Sequence, residues 1–168
     1  MKTIKLGIVG ATGMVGETFL KVLDERNTPI AELRLFASEA SVGKKYSFRG
    51  KDIPLQVLTP NCFDGLDVVF FSSGDNISKE WAPQAVKSGA FAIDNSAAFR
   101  MDPDTALVVP EINMAHLKST KAQVIANPNC STIQLVIVLD ALKSLGMESV
   151  HVASYQSVSG AGKEAVED

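Results

Sequence analysis

The chain has 168 residues, 46% of them hydrophobic and 21% charged, with a formal net charge of −3. That length allows one domain with a sizeable core, and that balance excludes a disordered chain. With no basic block and no apolar run of transmembrane length, neither nucleic acid nor a membrane is expected as a partner. Met1-Lys2-Thr3 leads straight into a strand, so no signal peptide is expected. The two cysteines, Cys62 and Cys130, follow neither a metal spacing nor a disulfide framework. No metal is therefore expected, and the compartment reads as reducing and cytoplasmic.

The first predicted element is a buried strand over Ile4–Val9, followed by Gly10-Ala11-Thr12-Gly13-Met14-Val15-Gly16 and a helix with Phe19, Leu20, Val22 and Leu23 at helical spacing. Strand, glycine-rich turn and helix in that order open a dinucleotide-binding unit. Gly10 permits the tight turn, Gly13 lets the backbone approach a pyrophosphate, and Gly16 allows close packing of helix on strand. The helix N-terminus offers unpaired N–H groups to phosphates. Gly10, Thr12, Gly13, Met14 and Val15 are thus candidate cofactor contacts. The competing reading is a plain strand-to-helix turn that binds nothing.

A second strand is expected over Ala31–Ala37, ending where an adenosine ribose would lie. An NAD site calls for Asp or Glu there, but Ser38 stands at this point, with Glu39 one place later. Ser38 and Ser41 leave room for a 2′-phosphate, and Arg34, Lys44 and Lys45 add positive charge nearby. NADP is therefore favoured over NAD, against the alternative of an ordinary polar loop. Asp52–Leu58 reads as a short strand, and Cys62 beside Phe63 as packing. Asp67–Phe71 is a further strand running into Ser72-Ser73-Gly74, where Ser73 and Gly74 are candidate cofactor contacts. A helix over Ile77–Ser88 follows, with Trp81 in its apolar stripe.

Phe91–Asp94 is another strand, followed by the loop Asn95–Arg100. Arg100 is either a solvated surface charge or, in a crevice at a strand end, a fork for carboxylate or phosphate. Leu107–Pro110 and Val124–Ala126 complete the strands, with a short helix near Asn113–Lys118 that leaves His116 exposed. Strand-helix alternation predicts an α/β fold with a doubly wound, mostly parallel sheet.

Asn127-Pro128-Asn129-Cys130 then sets up a helix to about Lys143 that stops at Gly146, with Asn129 as N-cap and Cys130 in the first turn. A helix N-terminus favours the thiolate, which makes Cys130 a candidate for covalent catalysis. The alternative is a buried structural cysteine. Ser149–Ser157 reads as a strand, with Gln156 near its end and His151 a packed residue within it. The last stretch, Ser159–Asp168, reads as a loop opening a helix that is then cut, so the chain is expected to be unfinished.

The motifs GATGMVG at Gly10–Gly16, DNSAAFRMDPD at Asp94–Asp104, VPEIN at Val109–Asn113, NPNCSTIQ at Asn127–Gln134 and YQSVSGAGK at Tyr155–Lys163 occur in one order. Together they resemble aspartate-β-semialdehyde dehydrogenase, over the whole chain but only the amino-terminal half of that family. The resemblance implies a Rossmann-like NAD(P)-binding domain over residues 1–129. Residues 130–168 would begin an α+β catalytic and dimerisation domain. It also implies NADPH-dependent reductive dephosphorylation of L-4-aspartyl phosphate to L-aspartate 4-semialdehyde, on the route to lysine, threonine, methionine and diaminopimelate. Cys130 would attack the acyl phosphate and hold a thioester, Arg100 would bind the phosphate, Asn129 would hold the acyl group, and Gln156 would orient it. Asn95 and the loop Ser159, Gly160 and Gly162 would meet the cofactor. A homodimer or homotetramer is implied.

In the family the second strand is often followed by Ala-Ser-x-Arg-Ser; here Ala40 stands at the arginine position and Ser38 and Ser41 remain. The family's acid/base histidine and substrate-carboxylate arginine belong to its second half, and His116 and His151 match neither. This chain alone is expected not to turn over. Two alternatives stay open: N-acetyl-γ-glutamyl-phosphate reductase, whose cysteine motif typically reads Asn-Pro-Gly-Cys-Tyr, and a non-catalytic nucleotide-binding half-protein.

Overall fold

The structure is a computed structural model that describes residues 3–162 and 164–167. Met1, Lys2, Lys163 (which closes the last motif) and Asp168 lie outside the described residues. The elements in chain order begin with β1 (Ile4–Val9), α1 (Met14–Glu25), β2 (Ile30–Phe36), β3 (Lys45–Phe48), β4 (Lys51–Gln56) and β5 (Val68–Phe71). They continue with α2 (Asp75–Lys87), β6 (Phe91–Asp94), β7 (Ala106–Leu107), α3 (Pro110–Ser119), β8 (Val124–Ala126) and α4 (Cys130–Leu142).

These strands form one eight-stranded sheet in the order β3-β4-β2-β1-β5-β6-β8-β7. Every pairing is parallel except the β3–β4 hairpin. The chain runs outward from β1 through β2 to β4, then returns to the other side of β1 with β5. The strand order therefore reverses between β1 and β5, and loops at the carboxyl ends of strands flanking such a point form a ligand crevice. The doubly wound α/β reading is borne out, and β1, β2, β5, β6 and β8 sit within a residue or two of their expected bounds.

Strand alternation divides the core in two. Leu6, Ile8, Leu35 and Phe70 face α1 and pack with Leu20 and Leu23. Val9, Phe36, Val69 and Phe71 face the other way, against Ala82 and Ala85 of α2 and against Phe63 and Leu66. Phe63 makes edge contacts with Phe36, Phe71 and Trp81 at centroid distances of 5.4, 5.9 and 6.2 Å. This plugs the sheet face that the β4–β5 connection would otherwise leave open. Trp81 and Cys62 are partly buried and pack against this cluster. Burial pushes the Cys62 thiol above its ordinary range.

Four sequence readings need correction. β3 was not foreseen; Lys45–Phe48 folds back on β4 and extends the sheet at an edge. Ser149–Ser157 is not a strand: it is irregular and exposed, because no strand lies beside it among the described residues to complete a ladder. His151 within it is exposed rather than packed. α3 begins at Pro110, earlier than expected, since Pro at the first helical position costs no hydrogen bond. α4 carries no buried residue although it is apolar along most of its length.

Candidate active site

The turn after β1 is built around missing side chains. Gly10 has φ +84°, and a Cβ there would stand 3.0 Å from the backbone and hydroxyl of Ser72 on the neighbouring strand end. A Cβ on Gly16 would overlap the carbonyl oxygen of Gly10. Two of the three glycine roles thus have a direct steric cause, while Gly13 serves as the N-cap of α1 in extended conformation. The N–H groups of Gly10 and Ala11 donate to the Phe36 carbonyl at 3.0 and 3.1 Å, which ties the turn to the end of β2.

Two clefts adjoin this turn. The smaller, about 220 Å³, is lined by Gly10, Phe36, Ser38, Leu58, Ser73 and Ile77 among others. The Ser73 hydroxyl is buried with no hydrogen-bond partner among the described residues. The larger, about 590 Å³ and mainly apolar, is lined by Met14, Val15, Phe19, Asn95, Asn127 and Ser159 among others. A dinucleotide fits this arrangement: glycine-cleared backbone lies between the clefts, the first-turn amides of α1 have no intrahelical acceptors, and an orphan hydroxyl faces the smaller cleft.

Of the expected cofactor contacts, Gly10, Ser38 and Ser73 meet in the smaller cleft, and Met14, Val15, Asn95 and Ser159 in the larger. Thr12 and Gly13 lie in the turn between them. Ser41 closes a short 3₁₀ turn, Gly74 (φ +95°) caps α2 and Gly162 (φ +104°) follows Ala161; none of these lines either cleft. Arg34 is spent elsewhere. It donates to Glu32 at 2.7 Å and to the carbonyls of Cys62 and Asp64 at 3.0 Å each, so it anchors the β4–β5 connection instead of facing the ribose end.

Cys130 is the first residue of α4 and is exposed. Asn129 caps the helix as expected: its Oδ1 accepts from the Ser131 N–H at 3.0 Å and from the Ser131 hydroxyl at 2.6 Å. The Gln156 amide donates to the Cys130 sulfur at 3.6 Å. Gly160 makes room for this reach, since a Cβ there would collide with the Gln156 amide. Among the described residues Cys130 is exposed, whereas Cys62 is half-buried.

Arg100 is half-buried. Its Nε donates to the Asn127 carbonyl at 2.9 Å and its Nη2 to the Asn95 carbonyl at 3.1 Å. The loop that carries it is braced by the fully buried Asp94, which accepts from the Ser96 hydroxyl at 2.7 Å, and by Asp75, which accepts from the Ala97 N–H at 2.9 Å. Sequence reasoning missed Asn127, Asp75 and Asp94 as parts of the site. Asn127 carried the one usable signal, a polar side chain between a strand end and a proline. His116 is exposed on α3, as expected. Among the described residues no cluster of His, Cys, Asp or Glu is placed to hold a metal ion, and no helix is long and apolar enough to cross a membrane.

Comparison with known proteins gives a consistent picture. Residues 5–120 match the family model for semialdehyde dehydrogenase, NAD binding domain. The aspartate-semialdehyde dehydrogenase of Aquifex aeolicus is 53% identical over 167 residues, covering 98% of this chain and 49% of that protein. Aspartate semialdehyde dehydrogenase II from Vibrio cholerae, solved complexed with ASA, superposes with a TM-score of 0.92 at 43% identity, covering 99% of this chain and 50% of that one. The enzyme from Candida albicans, solved with NADP, gives a TM-score of 0.69 at 28% identity over 86% of this chain and 48% of that one. The chain spans about half the length of the curated relatives it matches.

Proposed function

Given that the chain belongs to the semialdehyde dehydrogenase family through its NAD-binding domain, we propose that it carries the cofactor site and the nucleophile of an aspartate-semialdehyde dehydrogenase. In this reading residues 1–129 form the cofactor domain and residues 130–168 begin a catalytic and dimerisation domain. The apolar, unburied α4 supports that division, because a helix apolar over most of its surface is stable in water only when something covers it. A homodimer or homotetramer in the cytoplasm is the matching assembly and location.

The observation that carries the reading is the contact between the Gln156 amide and the sulfur of Cys130, exposed in the first turn of α4. Plain nucleotide binding requires neither group. Cys130 as thiolate attacks the acyl carbon of L-4-aspartyl phosphate; the C–S bond forms, the C–O bond to phosphate breaks, and phosphate leaves with its electron pair. Arg100 binds that phosphate through the N–H groups its two carbonyl partners leave unused. Gln156 and Asn129 orient the acyl group beside the sulfur. Gly10, Thr12, Gly13, Met14, Val15, Ser38, Ser73, Asn95 and Ser159 would hold NADPH, which would supply the hydride that reduces the thioester. Breaking the C–S bond then releases L-aspartate 4-semialdehyde and returns the sulfur. NADP over NAD is supported by Ser38, a small hydroxyl residue lining the smaller cleft where a ribose carboxylate partner would otherwise stand. The product feeds lysine, threonine and methionine synthesis.

The test is substrate choice by the full native protein in the oxidative direction, with NADP and phosphate. L-Aspartate 4-semialdehyde is expected to be oxidised at a kcat/KM at least about a hundredfold above that for N-acetylglutamate semialdehyde, a ratio within reach of a site that pairs a substrate's polar groups. Preference for the acetylated substrate, or oxidation of neither, would overturn the proposal.

A further inference from the structure

We infer that Asn95 and Asn127 form a positioning pair, whose side-chain hydrogen bond holds the Arg100 guanidinium at a set distance from Cys130. This rests on the proposed roles of Arg100 as the anion site and Cys130 as the nucleophile. β6 and β8 are parallel neighbours with Asp94 opposite Ala126. Asn95 and Asn127 therefore leave the sheet side by side. The Asn127 N–H donates to the Asp94 carbonyl at 2.7 Å, and its Nδ2 donates to the Asn95 Oδ1, also at 2.7 Å.

Arg100 reaches back onto this pair. Its two hydrogen bonds go to the main-chain carbonyls of the same two residues, Asn127 at 2.9 Å and Asn95 at 3.1 Å. Two carbonyls fix the plane of a guanidinium without neutralising it, and the remaining three of its five N–H donors are left for an anion. No carboxylate is paired with it among the described residues. Pro128 keeps Asn127 out of helical conformation, and its ring is buried. Cys130 follows Asn127 by three residues, a reach of at most about 10 Å. If the two asparagines part, the carbonyls separate and Arg100 loses its fixed bearing on the sulfur. The thiol itself, placed by the first turn of α4 and contacted by the Gln156 amide, is unaffected.

The experiment compares alkylation of Cys130 by iodoacetate and iodoacetamide in the full native protein without cofactor, each site read by peptide mass. The anionic reagent senses Arg100; the neutral one senses only the thiol. Asn127→Ala and Asn95→Ala are each expected to lower the iodoacetate-to-iodoacetamide rate ratio by about fivefold, the usual reach of one hydrogen bond. The iodoacetamide rate should stay unchanged, and the double variant should lower the ratio no further than either single one. The two substitutions break the same bond from opposite sides, so if one variant fails to fold the other decides. A ratio unchanged in the asparagine variants but lowered by Arg100→Gln would overturn the positioning role while leaving the anion site standing. A ratio unchanged by Arg100→Gln would overturn the anion site, and this inference with it.

Discussion

Gly160→Ala adds one methyl group at a position whose backbone any residue can adopt, so its effect is steric. The new carbon would collide with the Gln156 amide nitrogen and stand 2.7 Å from Cδ and 3.2 Å from Cγ of the same side chain. Turning the amide tip does not relieve a clash that involves three consecutive atoms. The whole side chain must leave, and with it the 3.6 Å contact to the Cys130 sulfur. A hydrogen bond to a charged group is worth about 1.5–3 kcal/mol. The length and exposure of this contact put it at the lower end, which corresponds to about a tenfold fall in kcat/KM. The assay is steady-state oxidation of the semialdehyde by the full native protein. Gly162→Ala is the control: among the described residues no atom lies within 4 Å of its Cβ position, so its φ of +104° should cost stability without touching Gln156. Gln156→Ala should lose as much as Gly160→Ala, and the double variant no more, because the clash has no partner left. Wild-type kcat/KM in Gly160→Ala, or additive losses in the double variant, would refute the reasoning.

Other expectations follow from the same geometry. Gly16→Ala forces a Cβ onto the Gly10 carbonyl and is expected to cost about 1–3 kcal/mol in urea unfolding, with a raised KM for the cofactor. Phe63→Ala removes a ring that touches Phe36, Phe71 and Trp81 and should cost about 3–5 kcal/mol by the same measurement. Arg34→Ala should leave the KM for NADP unchanged while lowering stability, because its guanidinium holds Glu32 and two carbonyls of the β4–β5 connection; a raised KM would return it to the cofactor site. Differential alkylation should label exposed Cys130 well before Cys62, whose thiol is pushed up by burial. The sign for stability follows from the raised folded value. The contribution of protonated Cys62 is whole below the ordinary thiol value of about 8.5 and is lost as pH rises through the folded one. A Cys62→Ala variant should therefore flatten the alkaline fall in stability.

The parallel core was legible because its signals are local. Buried strands alternating with helical spacing, and glycines at Gly10 and Gly16 whose missing Cβ atoms clear the turn, are written in short runs of sequence. Asn129 and Cys130 were legible for the same reason, since a cap and a first turn involve adjacent residues. What failed depended on distant partners. The alternation in Ser149–Ser157 is that of a strand, but a strand exists only with a neighbour. Arg34 lies near the ribose end in sequence, yet what it meets are the carbonyls of Cys62 and Asp64 in the β4–β5 connection. The Asn95–Asn127 bond joins residues 32 positions apart and no local pattern announces it. β3 was missed because Lys45–Phe48 is short and half charged or polar, and its pairing with β4 supplies what its composition does not.

The central claim is that Cys130 carries the acyl group. The most direct measurement mixes the full native protein with L-4-aspartyl phosphate in the absence of NADPH, quenches in acid and maps the added mass by peptide. The account predicts one aspartyl adduct on the peptide containing Cys130, discharged by hydroxylamine as a thioester is and absent in Cys130→Ala. Phosphate release without an adduct, or an adduct that persists in Cys130→Ala, would contradict it.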